Sequence, residues 1–433
     1  MRTPHFRFPL SRFPLFHLPC YAAPAMNQFR PPPTTRAAAP TGSDTWSTPW
    51  VQLKTITFSP VVYPAMIKGA SPDAKPGDFV TVYKKDGSVF GAGLYNPRAR
   101  VPLRVLVHGD QPVGEDYFTT ALERAIDWRV KTLGLDAHMD TYRVVNSDGD
   151  ALSGLTVDRY GDVLSVDVHS LGIYQRLPQI LQTLHAKLGT KREVVNVDEH
   201  IARFENIRVK PPAEPPPRSV KVREHGVRYE VDFTKGHKTG FFCDQRENRL
   251  LLSKLVKGKR VLDVCCYTGG FAVTAATLGE PAEVTGIDLD EDAIAQARRN
   301  GNLNNQNRIK WIHADGFGWM RQAQQNGNRW DTVILDPPKL VQGDAEEQRL
   351  GWQKYEDMNR LGASLVEPGG VFVTCSCSGQ VTMESFENLV VKSVHRLNRR
   401  LQFFDRTGPG HDHPVMSNAP EGRYLKVLWA RLW

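Results

Sequence analysis

The sequence predicts an α/β protein with a small β-barrel, then a mixed α/β middle domain, then a Rossmann-like domain with a parallel-rich sheet. Between about residues 50 and 115, short apolar runs and turn signals are typical of strands. From about residue 245 onward, strand-like and helix-like runs alternate, as in a parallel sheet covered on both faces. A chain of 433 residues also favours two or three domains.

The composition is that of a globular protein with sizeable cores, since 40% of the residues are hydrophobic and 24% are charged. The net charge is +8, but five arginines and no acidic residue lie in the first 43 residues, which leaves about +3 for the remainder. An RNA partner would therefore need a local basic face.

Residues 1–49 form a Pro/Arg-rich tail that we expect to be disordered. Prolines every five residues forbid a helix there: Pro4, Pro9, Pro14, Pro19 and Pro24. The lack of acidic residues resembles a targeting segment, and a later start at Met26 is another alternative.

Six cysteines without a C-x-x-C pair favour a reducing cytoplasm over a disulfide scaffold. We expect no metal, although Cys375 and Cys377 with a histidine are an alternative zinc site. No apolar run approaches 18 residues, so we expect no membrane span.

Residues 50–117 read as the barrel. A turn signal at 84–88 lies between the strand-like runs 79–83 and 89–95, which predicts a hairpin. Three arginines follow, and they indicate either a nucleic-acid contact face or a solvated edge: Arg98, Arg100 and Arg104.

Residues 118–234 read as the middle domain. A helical run from Tyr117 to Leu133 precedes alternating strands, and prolines near 211–217 predict a stiff linker. A hairpin is expected from Val220 to Phe233.

Residues 235–433 form the third domain. We expect strands at 260–265, 284–287, 309–313, 332–335 and 371–374, and helices at 271–278 and 291–303.

The turn after the first of these strands predicts a cofactor site. The segment from Asp263 through Tyr267, Thr268, Gly269 and Gly270 has one glycine pair instead of the G-x-G-x-x-G that cradles a pyrophosphate. S-adenosylmethionine has no phosphate, so this turn suits it better.

Two further acidic residues follow the next two strands. Asp288 is placed to accept from the ribose hydroxyls, and Asp315 from the adenine amino group. Each alone is a weak signal, because an aspartate after a strand is often a helix cap.

A thiol and a carboxylate at the ends of two later strands suit methylation of cytosine at carbon 5. A thiolate adds at ring position 6, which makes position 5 nucleophilic. Cys377 is favoured over Cys375 because it lies further beyond the sheet, and Asp336 would hold ring nitrogen 3. Lys339 is expected to supply positive charge and to contact RNA.

These residues resemble the bacterial large-subunit ribosomal RNA cytosine-5 methyltransferases that join an N-terminal PUA domain to a Rossmann-like catalytic domain. The resemblance covers roughly residues 50–433 and is carried by the strings at 236–246, 267–271, 336–339, 376–379, 412–414 and 420–426.

The resemblance implies a PUA RNA-binding domain at 50–117 and a class I methyltransferase domain at 235–433. It also implies S-adenosylmethionine as methyl donor, ribosomal RNA of the large subunit as partner, and Arg246 on the cofactor side. Cys377 falls on the family's motif cysteine, and a homodimer is left open.

Two other functions remain open on the sequence alone. A methyltransferase of the same fold acting on another RNA atom, such as a guanine nitrogen, or on a non-RNA substrate would not need Cys377. A non-catalytic RNA-binding factor would transfer no methyl group.

Overall fold

A computed structural model of the protein describes residues 42–111, 113–212, 215–234 and 241–433. The predicted tail lies outside the described residues as far as residue 41, and so does the part of the 236–246 string before Phe241. Within the described ranges, no helix has the length and apolar character needed to cross a bilayer.

The N-terminal domain is a six-stranded sheet with the order β2-β6-β5-β4-β1-β3. Its pairings are antiparallel except for β1 with β4. The predicted hairpin is confirmed, since β4 and β5 pair across a turn in which Gly87 has a φ of 87°. The strands are β1 (Trp50–Leu53), β2 (Val61–Val62), β3 (Ile67–Ala70), β4 (Asp78–Tyr83), β5 (Val89–Tyr95) and β6 (Leu103–His108).

The middle domain packs helices on a four-stranded sheet with the order β10-β9-β8-β7. The predicted helical run is confirmed as α1, which continues as a π-helical turn over Trp128–Thr132. The buried residues of α1 recur at helical spacing, so the hydrophobic pattern of the sequence predicts the helix. The elements are α1 (Asp116–Asp127), β7 (Thr141–Asn146), β8 (Leu155–Tyr160), β9 (Val163–Val168), α2 (Leu171–Leu188), β10 (Arg192–Asn196) and α3 (Glu199–Glu205).

A β-hairpin follows the proline-rich segment and consists of β11 (Ser219–Glu224) and β12 (Val227–Asp232). Its apolar side chains share a buried cluster with Val261 and Phe271 of the third domain. The hairpin therefore packs with the third domain, although the sequence placed it before the predicted boundary at residue 234.

The third domain alternates strands and helices as expected. The helix predicted over residues 291–303 begins and ends at those residues, and the other elements differ from their predicted bounds by a few residues. The elements are α4 (Arg246–Ser253), β13 (Arg260–Val264), α5 (Gly270–Leu278), β14 (Glu283–Asp288), α6 (Glu291–Leu303), β15 (Lys310–His313), α7 (Gly316–Gln325), β16 (Trp330–Leu335), α8 (Ala345–Ser364), β17 (Val366–Ser376), α9 (Met383–His395), β18 (Leu401–Thr407) and β19 (Lys426–Leu432).

The seven-stranded sheet of this domain has the order β15-β14-β13-β16-β17-β19-β18. The strands from β15 to β17 are parallel, whereas β19 is antiparallel to both of its neighbours. The strand order reverses beside β13, so the carboxyl ends of β13, β14, β16 and β17 border one crevice. Of the predicted site residues, the 267–270 turn, Asp336 and Cys377 follow these ends, whereas Asp288 ends β14 and Asp263 lies within β13.

Candidate active site

The chain turns sharply between β13 and α5. Cys265, Tyr267 and Gly269 have φ values of 61°, 49° and 83°. A Cβ added at Gly269 would lie 2.6 Å from the indole ring of Trp311 on β15. Glycine is therefore required there both by the backbone conformation and by the close packing of α5 against the sheet.

Asp263 lies in β13 under this turn and has no exposed surface. Its Oδ2 accepts a hydrogen bond of 3.1 Å from the backbone N–H of Ala272, while Oδ1 is buried without a partner among the described residues. Burial, and then the charge of Asp336, raises the pKa of Asp263 to about 8.

Asp288 ends β14 and holds the turn from the other side. Its Oδ2 accepts from the backbone N–H of Tyr267 at 2.8 Å, and its Oδ1 accepts from that of Asp290 at 2.9 Å. The side chain is half-buried, and burial raises its pKa. Each carboxylate oxygen has a second lone pair, so Asp288 can still accept from a ligand.

The remaining predicted cofactor residues differ in exposure. Thr268 is buried, and its carbonyl accepts from the Asn300 side chain at 2.9 Å. Gly270 packs against the Arg249 side chain. Asp315 is exposed, and its carboxylate caps α7 by accepting from the N–H of Gly318 at 2.8 Å.

Two buried carboxylate oxygens near the turn, Asp263 Oδ1 and Asp244 Oδ1, lack a partner among the described residues. The buried Gln245 side chain lies beside Asp336 and lowers its pKa through a hydrogen bond. The charge of Asp244 raises the pKa of Asp336, and Asp336 in turn raises that of Asp263, so these acidic side chains lie close together. Two carboxylate acceptors beside an amide donor fit the ammonium and carboxylate of an amino-acid head group, such as that of S-adenosylmethionine.

Asp336 follows β16, and its backbone N–H donates to the carbonyl of Val264 at 3.2 Å. Burial, and then the charge of Asp244, raises the pKa of Asp336 to about 7. Hydrogen bonds from the Gln245 side chain and the Cys375 thiol, together with the charge of Arg249, lower the pKa of Asp336 and oppose this shift. The carboxyl group can therefore carry a proton near neutral pH and donate a hydrogen bond.

The two candidate cysteines have different surroundings. Cys375 lies inside β17 without exposed surface, and burial raises the pKa of its thiol well above the usual range. Cys377 lies one residue beyond the end of β17, is half-buried, and its Sγ is 3.9 Å from the carbonyl oxygen of Pro337. Cys377 is thus the thiol next to the Asp336 loop that also reaches solvent.

Hydrogen bonds from α8 and from the chain after β16 hold the segment around Cys377 in place. The hydroxyl of Tyr355 on α8 is 3.0 Å from Ser376 Oγ and 3.1 Å from Ser378 Oγ. Ser378 Oγ also accepts from the backbone N–H of Val341 at 3.1 Å. The two serines that flank Cys377 therefore hold the β17 end against α8 and the chain that follows Asp336.

Arg246 is held in place by ion pairs. Its side chain has no exposed surface, and its guanidinium donates to Asp412 at 2.8 and 3.0 Å and to Glu247 at 3.0 Å. These contacts occupy its guanidinium among the described residues, and its role on the cofactor side stays a prediction. Its position beside Gln245 nevertheless fixes the start of α4 next to the unpaired polar atoms.

The three arginines of the N-terminal domain do not share one surface role. Arg98 and Arg100 are exposed. Arg104 is largely buried, donates to Ser153 Oγ at 3.3 Å and to the His169 carbonyl at 3.2 Å, and lies 3.7 Å from Glu205. Arg104 therefore joins the N-terminal and middle domains, and its role as an RNA contact stays a prediction. Lys339 is half-buried.

Sequence reasoning missed Asp244, Gln245 and Lys426 as site residues. The first two lie in the same string as Arg246, so their position was visible, but only Arg246 was assigned a role. Lys426 lies next to the Cys377 segment because β19 pairs with β17, and the local sequence pattern does not predict this pairing.

The chain resembles two families of known domains. Residues 196–426 match the model for S-adenosylmethionine-dependent methyltransferases, and residues 54–108 match that for PUA-like domains. Both the methyltransferase fold and the N-terminal PUA-like domain are therefore confirmed.

Curated relatives align over most of the chain. The protein "Ribosomal RNA large subunit methyltransferase I" of Shewanella frigidimarina is 33% identical over 380 residues, covering 85% of this chain and 93% of that protein. The protein of the same name from Escherichia coli O127:H6 is 32% identical over 383 residues, covering 86% and 95%.

Solved structures share the fold. A SAM-dependent methyltransferase from Streptococcus mutans aligns with a TM-score of 0.72 at 20% identity, over 89% of this chain and all of that one. A methyltransferase complexed with SAH aligns with a TM-score of 0.71 at 20% identity, over 86% of this chain and 95% of that one.

Proposed function

Because the chain belongs to the family of S-adenosylmethionine-dependent methyltransferases that includes the large-subunit methyltransferase I proteins, we propose that it forms 5-methylcytosine in large-subunit ribosomal RNA. The single observation that carries this proposal is the half-buried thiol of Cys377, which lies 3.9 Å from the carbonyl oxygen of Pro337, the residue after Asp336, at the crevice that also contains Asp263. A thiol and an acid in that relation suit covalent attack on a pyrimidine.

Bound S-adenosylmethionine supplies an electrophilic methyl group at this crevice. Asp263, Asp244 and Gln245 would hold its amino-acid head, because two unpaired carboxylate oxygens and a neighbouring amide match its ammonium and carboxylate. Asp288 would accept from the ribose hydroxyls while keeping the Tyr267 turn in place. Thr268, Gly269 and Gly270 shape the backbone of that turn, and Asp315 would border the adenine.

Cys377 is the proposed nucleophile. Its thiolate would add to ring carbon 6 of the cytosine, and the ring electrons displaced by this bond make carbon 5 nucleophilic toward the methyl group. After carbon 5 is methylated, its proton leaves to a base, the Cys377–carbon 6 bond breaks, and the thiolate is regenerated. No net oxidation or reduction occurs in this cycle.

Asp336 is proposed to hold ring nitrogen 3. Its carboxyl group has a pKa of about 7, so near neutral pH a large fraction carries the proton that a hydrogen bond to nitrogen 3 requires. That bond draws negative charge off the ring when the thiolate adds. A paired cytosine would have to be flipped out of its helix, at a cost of a few kcal/mol.

RNA binding is proposed for the PUA-like domain and for the loop after β16. Arg98 and Arg100 are exposed and form no ion pair with a carboxylate among the described residues, which leaves their charges available for phosphates. Lys339 lies beside Asp336 and is proposed to contact the RNA backbone near the target base.

The test is the identity of the methylated nucleoside. The protein, labelled S-adenosylmethionine and unmodified large-subunit RNA or subunit particles are incubated, and the nucleosides are separated by mass spectrometry. We expect label in 5-methylcytidine, a loss of at least about 1,000-fold in Cys377→Ser, and retained transfer in Cys375→Ser.

Label in a guanosine, or full transfer by Cys377→Ser, would show that a methyltransferase of this fold acts here on another atom. Absence of transfer to any RNA, in a protein that binds S-adenosylmethionine, would favour a binding factor. Bisulfite sequencing of the product then gives the position of the methylated cytosine.

A further inference from the structure

Lys426 is a buried cation next to the proposed nucleophile. It begins β19 and pairs in register with Ser376, the last residue of β17. Only 3% of its surface is exposed. Lysine is almost never buried to this degree without a partner for its charge, so we expect an anion close to its ammonium group.

The ammonium of Lys426 is held by two main-chain carbonyls. It donates to Ser378 at 2.6 Å and to Tyr424 at 2.7 Å. No carboxylate within the described ranges lies within 4.0 Å of it. The two bonds use two of its three N–H groups, and they fix the ammonium to the residue that follows Cys377.

The group near Lys426 whose negative charge would stabilise its ammonium is the thiolate of Cys377. Burial lowers the pKa of Lys426 to about 8, negative charge on Cys377 opposes that shift, and the charge of Lys339 adds to it. This coupling is reciprocal, because an ammonium that is stabilised by a thiolate stabilises that thiolate equally.

Other titratable groups also face Cys377. The phenol of Tyr355 approaches from α8 and Cys375 from inside β17, while Lys339, in the chain after β16, acts on Lys426. Tyr355 and Cys375 are buried, and burial raises the pKa of both, so they remain neutral at pH 7. Among the residues that the structure describes, Lys426 and Lys339 are the cations coupled to this cluster, and Lys426 is the more buried of the two.

We infer that Lys426 is a positioning residue that holds Cys377 as a thiolate and fixes the Ser376–Ser378 segment against β19. The inference rests on the proposed function only in taking Cys377 as the nucleophile. A thiolate needs adjacent positive charge to form at neutral pH, and a cation shielded from solvent supplies it with little screening. Lys339, which is nearer to solvent, has the smaller effect.

The test measures the ionisation of Cys377 directly, without RNA. The rate of Cys377 alkylation by iodoacetamide is followed against pH by peptide mass spectrometry in the full-length protein. We expect the pH midpoint to rise by about 1 unit or more in Lys426→Met and to stay near that of the wild type in Lys426→Arg. Lys339→Met is the matched control and should shift the midpoint less.

A second measurement avoids the risk that Lys426→Met fails to fold. The titration of Lys426 is followed by NMR of ¹³C-labelled lysine in the wild type and in Cys377→Ser, with Lys426→Arg used to assign the signal. We expect Lys426 to lose its proton at lower pH when the thiol is absent. Equal titration in both proteins, or a wild-type alkylation midpoint in Lys426→Met, would overturn the inference.

Kinetics separate this role from a structural one. Lys426→Met should lower kcat at pH 7 by about tenfold or more while KM for RNA changes little, and raising the pH should restore part of the loss. Alkylation does not depend on the methylated product. If the alkylation midpoint rises in Lys426→Met as expected but no 5-methylcytidine forms, the proposed function is rejected and the Lys426–Cys377 coupling stands.

Discussion

Asp263 and Asp336 illustrate how burial tunes single residues of the crevice. Burial is the main cause of the raised pKa of each, about 8 for Asp263 and about 7 for Asp336, and the charge of Asp336 further raises that of Asp263. When these carboxyl groups are protonated near neutral pH, the crevice does not carry several negative charges without counter-charges. An ammonium ligand reverses this preference.

Binding of S-adenosylmethionine should therefore release a proton. At pH 7 Asp263 is mostly protonated, and the ammonium of the ligand favours the carboxylate, so we expect release of up to about one proton at pH 7 and less at pH 9. Calorimetry in buffers of different ionisation enthalpy measures the number. Asp263→Asn should bind more weakly and lose this contribution, and equal binding enthalpies in all buffers at pH 7 would contradict the assignment.

The raised pKa of Asp263 also affects how the stability of the protein without S-adenosylmethionine depends on pH. Because the folded-state pKa of Asp263 exceeds the ordinary value of 3.8, its contribution to the free energy of unfolding is present below about pH 4 and is lost as the pH rises toward 8. Asp263→Asn should flatten this part of the stability profile.

At the scale of elements, the interdomain loop, which we define as residues 408–425 between β18 and β19, contacts all three domains. Its Asn418 side chain donates to the carbonyl of Phe58 at 2.7 Å, and the Trp128 indole donates to the carbonyl of His411 at 3.0 Å. The loop then ends at Lys426. Domain arrangement and the proposed nucleophile are thus connected through one segment.

Asp412 is the centre of this loop. Its carboxylate accepts from the Arg246 guanidinium, from His413 Nδ1 at 2.9 Å and from the backbone N–H of Arg143 at 2.8 Å, and its carbonyl accepts from Arg129 at 2.6 Å. Burial alone would raise its pKa, but the charges of His413 and Arg246 outweigh it and hold the pKa of Asp412 well below the usual range.

Asp412→Asn should destabilise the protein by about 3–5 kcal/mol at pH 7, because it leaves the buried Arg246 charge without its main partner. Urea unfolding followed by tryptophan fluorescence measures the loss. Since the folded-state pKa is depressed, the stabilisation by Asp412 is present above its ordinary pKa and disappears in acid, where the two proteins should converge.

Glu247→Gln is the control for this prediction, because Glu247 is a partly exposed partner of the same arginine and should cost at most about 1 kcal/mol. A loss below about 1 kcal/mol in Asp412→Asn would show that the buried pair does not hold the loop.

The elements of the third domain were predictable because their signals are local. The acidic start and apolar spacing of α6, and the apolar runs of β13 and β16, specify their own class. The contacts of Arg104 with Glu205, of Arg246 with Asp412 and of Lys426 with Ser378 were not predictable, because these partners are distant in the chain, by 166 residues for Asp412 and Arg246. The β11–β12 hairpin was recognised, but its packing depends on a core assembled from distant strands.

At the scale of the whole molecule, the exposed arginines of the PUA-like domain stand near the interdomain loop. The pKa of Tyr63 is raised by burial, and the charges of Arg100 and Glu421 both act on it, which brings the two regions together. An RNA lying on Arg98 and Arg100 would therefore pass close to the loop that leads to Lys426.

The double variant Arg98→Ala/Arg100→Ala should weaken RNA binding while leaving the thermal midpoint nearly unchanged. We expect the slope of log affinity against log salt concentration to fall in magnitude by about 1–2, as for two lost phosphate contacts. Fluorescence anisotropy with large-subunit RNA fragments measures both quantities. Arg104→Ala is the contrast, since its loss should lower the thermal midpoint and leave the salt slope near that of the wild type.

The most direct measurement of the central claim is to map the covalent adduct on large-subunit RNA that carries 5-fluorocytidine. Fluorine at carbon 5 cannot leave as a proton does, so the adduct is trapped after methyl transfer. We expect a stable one-to-one protein–RNA complex whose modified peptide contains Cys377, present in Cys375→Ser and absent in Cys377→Ser. An adduct on another residue, or no adduct with a protein that methylates the unfluorinated RNA, would contradict the account.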